Sequence, residues 1–278
     1  SLHLGKPRAN RKPVVQILTP SGHPLGFAKV GVDRLTNELV RTEVHALYLV
    51  AQAPRRHFAV AAVLATGSWN DLEVLVTEVL PVWRSGRAPS AGELTAATRE
   101  IAGLVAPGAL TVPEWLRAGG LLDRLAGLPD SPAAAAVREA VGALVDRAGD
   151  TRLDCGAWHG DWTPWNMALI RQRLLVWDWE RFAAPAPVGF DALHHHLQQA
   201  LVPQRRPPRL AVTELVAASG AVLAPYGIGP ADARLVTFGY LCELAVRYLG
   251  DGQEAAGARL GRVGEWLVPE LRALSEQP

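Results

Sequence analysis

The chain has 278 residues, 49% of them apolar, a formal net charge of +1 and two cysteines. That length suits one large domain or two lobes with a sizeable core, and the apolar share excludes wholesale disorder. The near-neutral charge gives no electrostatic case for a nucleic-acid or acidic-membrane partner, and no run reaches the ~18 apolar residues of a membrane span.

Cys155 and Cys242 make neither a disulfide framework nor a zinc site. The N-terminus is polar, with no apolar stretch behind a basic start, so no signal peptide is expected and a reducing cytoplasm fits best. The chain opens on Ser1, not Met, which leaves room for an upstream strand.

The first elements in chain order are two short β-like runs, VVQILT (14–19) and LGFAKV (25–30), separated by the turn cluster PSGHP. They predict a hairpin. Asp33 then opens a long stretch free of Pro and Gly. Leu35, Leu39, Val40, Val44, Leu47 and Val50 recur there at helical spacing. Two more strands are expected at 57–65 and 73–80, with GSWND as the turn and Pro81 as the stop. Beyond residue 90 the stretches 91–106, 112–128 and 131–149 read as helices, with Pro113 and Pro132 in early positions where proline is tolerated. A short β-like region follows at 158–180. From about residue 190 the chain reads as helical again, broken at 202–208, 225–230 and 250–252.

This order predicts an α+β, two-lobed layout: a small β-rich N-lobe with one helix and a larger helical C-lobe. A hinge near Thr77–Pro81 assigns 1–81 to the first lobe and 82–278 to the second. The cleft between them is the expected ligand site.

The loop WHGDWTPWN (158–166) carries His159, Asp161 and Asn166, and Asp178 follows at the end of the apolar run LLVW. Phosphoryl transfer from ATP needs hard oxygen ligands for magnesium and one carboxylate beside the acceptor hydroxyl. Asp161 and Asn166 share one short loop. The stretch MALI, the turn RQR and LLVW form a hairpin that brings Asp178 back beside Asn166. Residue types and spacing fit a base plus two metal ligands. In the bland reading Asp161 is a turn residue and Asp178 a strand-end cap.

The pattern His159-Gly160-Asp161-x-x-x-x-Asn166, followed by a strand pair and an isolated Asp178, resembles the aminoglycoside phosphotransferase family, small-molecule kinases with a protein-kinase-like fold. The resemblance implies Asp161 as catalytic base, Asn166 and Asp178 as Mg²⁺ ligands, and His159 as a brace for the loop. It implies that Asp191, in GFDALHHH, opens the next helix and steadies the catalytic loop.

A kinase-like fold also wants a small-lobe lysine reaching the α- and β-phosphates and a helical glutamate paired with it. Lys29 is the last lysine in the chain and lies on a predicted strand. Glu43, with Leu47 four residues on, matches the family pattern better than Glu38, which can be a solvated partner of Arg34 or Arg41. The stretch VLVTEVLP (74–81) fits the family's adenine-binding segment, with Glu78, Val79 and Leu80 as contacts; an ordinary buried strand accounts for it equally. No glycine-rich phosphate loop is visible. LGKPRANRK (4–12) offers only Gly5, with Lys6, Arg8, Arg11 and Lys12 as either a basic lid over the triphosphate or a solvated terminus.

Five tryptophans surround the site. Trp162, directly after Asp161, is the first choice for an acceptor wall, and Trp177, ending an apolar strand, is the first choice for core. Glu180 and Arg181 are expected at the rim. His194, His195 and His196 point different ways on a helix and read as packing, not metal. Cys155 lacks a sequence neighbour to activate it.

The expected function is an ATP-dependent phosphotransferase, with GTP as an alternative donor and Mg²⁺ as metal, acting on a hydroxyl of a small molecule. The acceptor is an antibiotic such as an aminoglycoside, or a sugar or amino-alcohol metabolite. The alternatives are a protein kinase, for which the short stretch from Asp178 to Asp191 leaves little room for an activation segment, and a nucleotide-binding module without turnover.

Overall fold

The computed structural model describes residues 2–3, 8–82, 87–106 and 108–276. In chain order the elements are β1 (Leu2–His3), β2 (Val14–Leu18), β3 (Pro24–Val30), α1 (Arg34–Gln52), β4 (Phe58–Ala59), β5 (Val63–Trp69), β6 (Leu72–Glu78), α2 (Ala91–Ala102), β7 (Gly108–Thr111), α3 (Val112–Ala118), α4 (Leu121–Ala126) and α5 (Pro132–Ala148). They continue with β8 (Arg152–Trp158), β9 (Met167–Ile170), β10 (Arg173–Val176), β11 (Ala183–Pro187), α6 (Phe190–Leu201), α7 (Pro208–Leu223), α8 (Pro230–Gly250), α9 (Val263–Trp266) and α10 (Val268–Glu276). The architecture is α+β, with most strands early and most helices late.

The chain forms two compact units, one of residues 1–100 with 159–182, the other of 101–158 with 183–278. The expected boundary after residue 81 follows the chain; these units do not, because the loop and hairpin at 159–182 pack with the N-terminal strands.

In the first unit β1, β2, β3, β6 and β5 lie in that order in an antiparallel sheet. The turn between β5 and β6 is shorter than GSWND suggests. Asn70 and Asp71 take positive φ of 48° and 63°, the two-residue turn that matches strand twist, so β5 extends to Trp69. α1 begins at a capping box: the Asp33 carboxylate accepts from the Thr36 amide at 2.8 Å, and the Thr36 hydroxyl returns a bond to the loop. The predicted apolar stripe is the buried one, through Leu39, Val40, Leu47 and Val50. Pro54 follows the last turn and stops the helix.

The single strand expected at 57–65 is two strands. Phe58 and Ala59 leave the first sheet and pair in parallel with Leu174 and Leu175 of β10, in a separate sheet ordered β4-β10-β9. That small sheet carries the site hairpin, and Phe58 packs on Trp179 with ring centroids 5.7 Å apart.

The second unit is a helical core with one small antiparallel sheet, β11-β8-β7. β7 and β11 escape the sequence reading: each is short, and β11 is the proline-rich AAPAP. The long helix expected at 112–128 is interrupted at Gly119 and Gly120, the latter at φ 68°, giving α3 and α4. Phe190 is the hub of the core. Trp115, Trp158 and Tyr240 meet it edge-on, with centroids at 5.5, 5.4 and 5.7 Å.

Candidate active site

Alternation along β3 turns Phe27 and Lys29 to one face, and the third turn of α1 presents Glu43 to it. The Lys29 ammonium donates to both carboxylate oxygens of Glu43 and to Oδ1 of Asp178, each at 2.7 Å. All three of its protons are therefore spent on acids. Burial opposes the charge on Lys29, but Asp178 and then Glu43 outweigh it and hold the ammonium above the usual lysine range. Burial likewise disfavours the charge on Asp178, yet Lys29 and then Lys12 pull it below the usual carboxylate range.

The hairpin delivers Asp178. β9 and β10 pair from Ile170↔Arg173 to Met167↔Val176, and the Trp177 amide continues the ladder by donating to the Asn166 carbonyl at 3.1 Å. Asp178 comes next, at φ 69° and ψ 53°, and this left-handed turn redirects the chain into the short 3-10 turn Trp179–Arg181.

The loop 159–166 is fixed from below by His159, which is fully buried. Its Nδ1 accepts the Asp161 amide at 3.2 Å, so Nε2 carries the proton and donates to the Trp177 carbonyl, also at 3.2 Å. One imidazole thus joins the residue before Asp178 to the backbone of Asp161. Gly160 sits at φ 81°, and a Cβ there would overlap the carbonyl oxygen of Arg181. Gly160→Ala should cost about 3 kcal/mol, the sum of left-handed strain and local overpacking. The check is a thermal melt, in which an unchanged midpoint would contradict this packing.

Asn166 is buried, and its Nδ2 donates to the Asp161 carbonyl at 3.0 Å and to Oδ2 of Asp161 at 2.9 Å. Both partners can only accept, which identifies the nitrogen and leaves Oδ1 of Asn166 unclaimed by any described residue. Among the described residues Oδ2 of Asp178 is unclaimed as well. Two hard oxygens on adjoining strand ends match what a small divalent cation takes. The carboxylates of Glu43, Asp178 and Glu180 also lie within 4.8 Å of one another. That trio is held by lysines instead: Glu43 is spent on Lys29, and Glu180 on Lys12 and Asn10. The donor types of Asn166 and Asp178 therefore suit a divalent cation.

A cavity of about 640 Å³ opens beside the cluster. Val14, Phe27, Leu47, Ala61, Leu80 and Val176 give it apolar walls, and Lys29, Glu43 and Asp178 stand at its polar end. Its size and mostly apolar lining are those of a small-molecule site.

Several expectations need correction. Trp162 is only 1% exposed and packs its ring on His159 at 5.8 Å, so it braces the loop from inside and offers no wall. Trp177, expected in the core, is half-buried and lines the cavity. Glu180 is not at a rim: it is 2% exposed and ion-paired with Lys12. Glu78 lines the cavity, but it spends its amide on the Ala62 carbonyl and one carboxylate oxygen on the Ala62 amide, both at 3.0 Å. Leu80 lines the cavity, whereas Val79 is not among the described lining residues.

Other residues fall where their types suggest. Glu38 pairs with Arg34 on the exposed face of α1, and Arg41 reaches across to Glu73. Asp191 lies in the second unit, buried in the first turn of α6. His194 packs in that core, its Nδ1 2.9 Å from the Tyr240 hydroxyl, and His195 meets Gln199 at 3.0 Å. Burial and then Asp154 push the Cys155 thiol up to about 12, which leaves it inert. Gly5 and Lys6 lie outside the described residues. The contact that sequence reasoning missed altogether is Lys12 with Glu180, which no local spacing signals.

No protein-family model matches the chain, and no curated protein is similar to it in sequence. Solved structures are similar over almost the whole length. A thermostable mutant of aminoglycoside phosphotransferase APH(4)-Ia, in its apo form, superposes with a TM-score of 0.60 at 13% identity, covering 99% of this chain and 94% of that one. Amicoumacin kinase hAmiN, in complex with AMP-PNP, Ca²⁺ and Ami, gives 0.59 at 13%, covering 98% and 88%.

The chain has the fold of the aminoglycoside phosphotransferases.

Another example of that fold, the GDP and kanamycin complex of APH(2")-IIia, gives 0.54 at 15%, covering 99% and 92%. With so little sequence in common, the phosphotransferase fold rests on the path of the backbone, and the chemistry has to be argued from this chain's own residues.

Proposed function

We propose that this protein is an ATP-dependent, Mg²⁺-assisted phosphotransferase that transfers the γ-phosphoryl group to a hydroxyl of a small molecule. The observation that carries the reading is the convergence in one unit of Lys29, Glu43 and Asp178, within 2.7 Å contacts, beside a loop that couples Asp161 to Asn166 at 2.9 Å. The nucleotide–metal complex would supply the electrophilic phosphorus and neutralise its oxygens.

This chain's residues have the remaining work. Glu43 holds the Lys29 ammonium at the polar end of the cavity, where it would face phosphate oxygens. Asn166 and Asp178 would offer Oδ1 and Oδ2 to the metal. Asp161, oriented by Asn166 and by the His159 brace, would accept a hydrogen bond from the acceptor hydroxyl and take its proton. The apolar walls from Phe27 to Leu80 would receive a purine ring. Residues 1–81 would form the nucleotide lobe, and 82–278 the catalytic loop and acceptor helices. Asp191 would steady that loop. ATP is preferred to GTP as the working donor, although a neighbour of this fold is described with GDP.

Neighbours described with kanamycin and with Ami support a small-molecule acceptor, here an antibiotic such as an aminoglycoside or a sugar or amino-alcohol metabolite in the cytoplasm. The test is a nucleotide-dependent mass-shift screen over aminoglycosides, other antibiotics, sugars and amino alcohols, with Asp161→Ala as the control. A gain of one phosphate by an acceptor, absent with the control, is the expected result. ATP binding with no acceptor modified in any class would favour a nucleotide-binding module.

A further inference from the structure

The given sequence shows no glycine-rich phosphate loop, yet the described part of the N-terminal segment reaches the cavity by another route. Residues 8–11 form a turn closed by the Arg11 amide on the Arg8 carbonyl at 3.1 Å. Arg8, Arg11 and Lys12 all line the cavity that holds Lys29 and Asp178. Pro13 follows directly and has no N–H to offer.

Glu180 ties this turn down. Its Oε1 accepts from Asn10 Nδ2 at 2.7 Å, and its Oε2 is ion-paired with Lys12. The pair is almost fully buried, with side-chain exposures of 6% for Lys12 and 1% for Glu180. A buried pair of this kind contributes little net stability compared with apolar residues of the same shape, so its worth lies in fixing one geometry. Glu180 is two residues past Asp178. The anchor therefore sets the turn in register with the proposed metal ligand.

The charges sort accordingly. Lys29 is neutralised by Glu43 and Asp178, and Lys12 by Glu180. Arg8 and Arg11 are exposed and have no ion pair with any described residue. Two exposed arginines lining the cavity, on a turn fixed by a buried anchor, suit the oxygens of a polyphosphate, which arginine grips through paired donors.

Resting on the phosphotransferase reading, we propose that Arg8 and Arg11 form a side-chain clamp on the nucleotide's terminal phosphates, and that Glu180, through Lys12 and Asn10, is its positioning residue. The clamp takes the place of glycine amides. It also makes nucleotide affinity unusually dependent on salt, because the grip is made by exposed charges.

The test is calorimetric binding of Mg·ADP and of adenosine to the wild type, Arg8→Ala/Arg11→Ala, Glu180→Gln and Glu180→Asp. The double variant is expected to bind Mg·ADP roughly tenfold or more weakly, with adenosine affinity unchanged and a flatter salt dependence. Glu180→Gln should show the same selective loss, and Glu180→Asp should recover part of it. A merely structural Glu180 would weaken both ligands together, and that result overturns its positioning role. Mg·ADP affinity within twofold of wild type in the double variant overturns the clamp. If the wild type itself binds neither ligand, the phosphotransferase reading falls, and the clamp with it.

Discussion

Asp161→Ala is expected to lower turnover by about 10²–10⁴-fold, the usual contribution of a positioned general base, while Mg·ADP affinity stays within a few-fold of wild type. The hydrogen bonds set this split. Asn166 is held by two acceptors on residue 161, the carbonyl at 3.0 Å and the carboxylate at 2.9 Å. Alanine removes only the second, so Asn166 keeps its orientation and its Oδ1 stays free for a metal. The His159 bond to the amide of residue 161 also survives. The measurements are kcat by a coupled ADP assay, once an acceptor is in hand, and ADP affinity by calorimetry. Turnover within tenfold of wild type would remove Asp161 from the role of base. Equal losses of turnover and ADP affinity would mean that the loop as a whole had collapsed.

How much of this site can be read from the chain depends on the distance over which each contact acts. Asp161, Asn166 and Asp178 are legible because a loop and one hairpin join them, and the register Met167↔Val176 follows from strand lengths and a tight turn. Lys29 is legible by elimination, since no lysine follows it. Trp162 and Trp177 exchange their expected places for a reason no spacing reveals. Adjacency to Asp161 says nothing about which side of the loop faces His159, and the end of β10 opens onto a cavity formed by strands far away in sequence. Glu180 is hidden in the same way, because its partners lie 168 and 170 positions earlier in a segment without periodicity. The split of β4 from β5 was equally out of reach: parallel pairing of Phe58 with Leu174 is decided by where β10 lies, not by the apolar run that both pieces share.

Lys29→Met should have the largest effect on stability, and its dependence on pH should reverse that of the wild type. The substitution leaves the carboxylates of Glu43 and Asp178 facing each other within 4.8 Å, with Glu43 almost fully buried. Removing one partner of a buried charge cluster costs about 3–5 kcal/mol, because the remaining charges are neither solvated nor paired. In the wild type the folded-state pKa of Asp178 lies below its unfolded value. Its contribution is complete above the unfolded pKa and is lost as pH falls through the folded one. Without Lys29, burial acts on the Asp178 carboxylate with less opposition, and its protonation relieves the repulsion. The variant should therefore gain stability relative to wild type as the pH falls from neutrality, and the two melting curves should converge as the solution is acidified. Lys29→Met/Glu43→Gln removes the repulsion by another route. It should melt above the single variant at neutral pH while still binding Mg·ADP more weakly than wild type, since neither substitution restores the ammonium. A single variant whose deficit is the same at pH 7 and pH 5 would show that the lost free energy is packing and not charge. A double variant that recovers full nucleotide affinity would show that Lys29 serves only to neutralise Glu43.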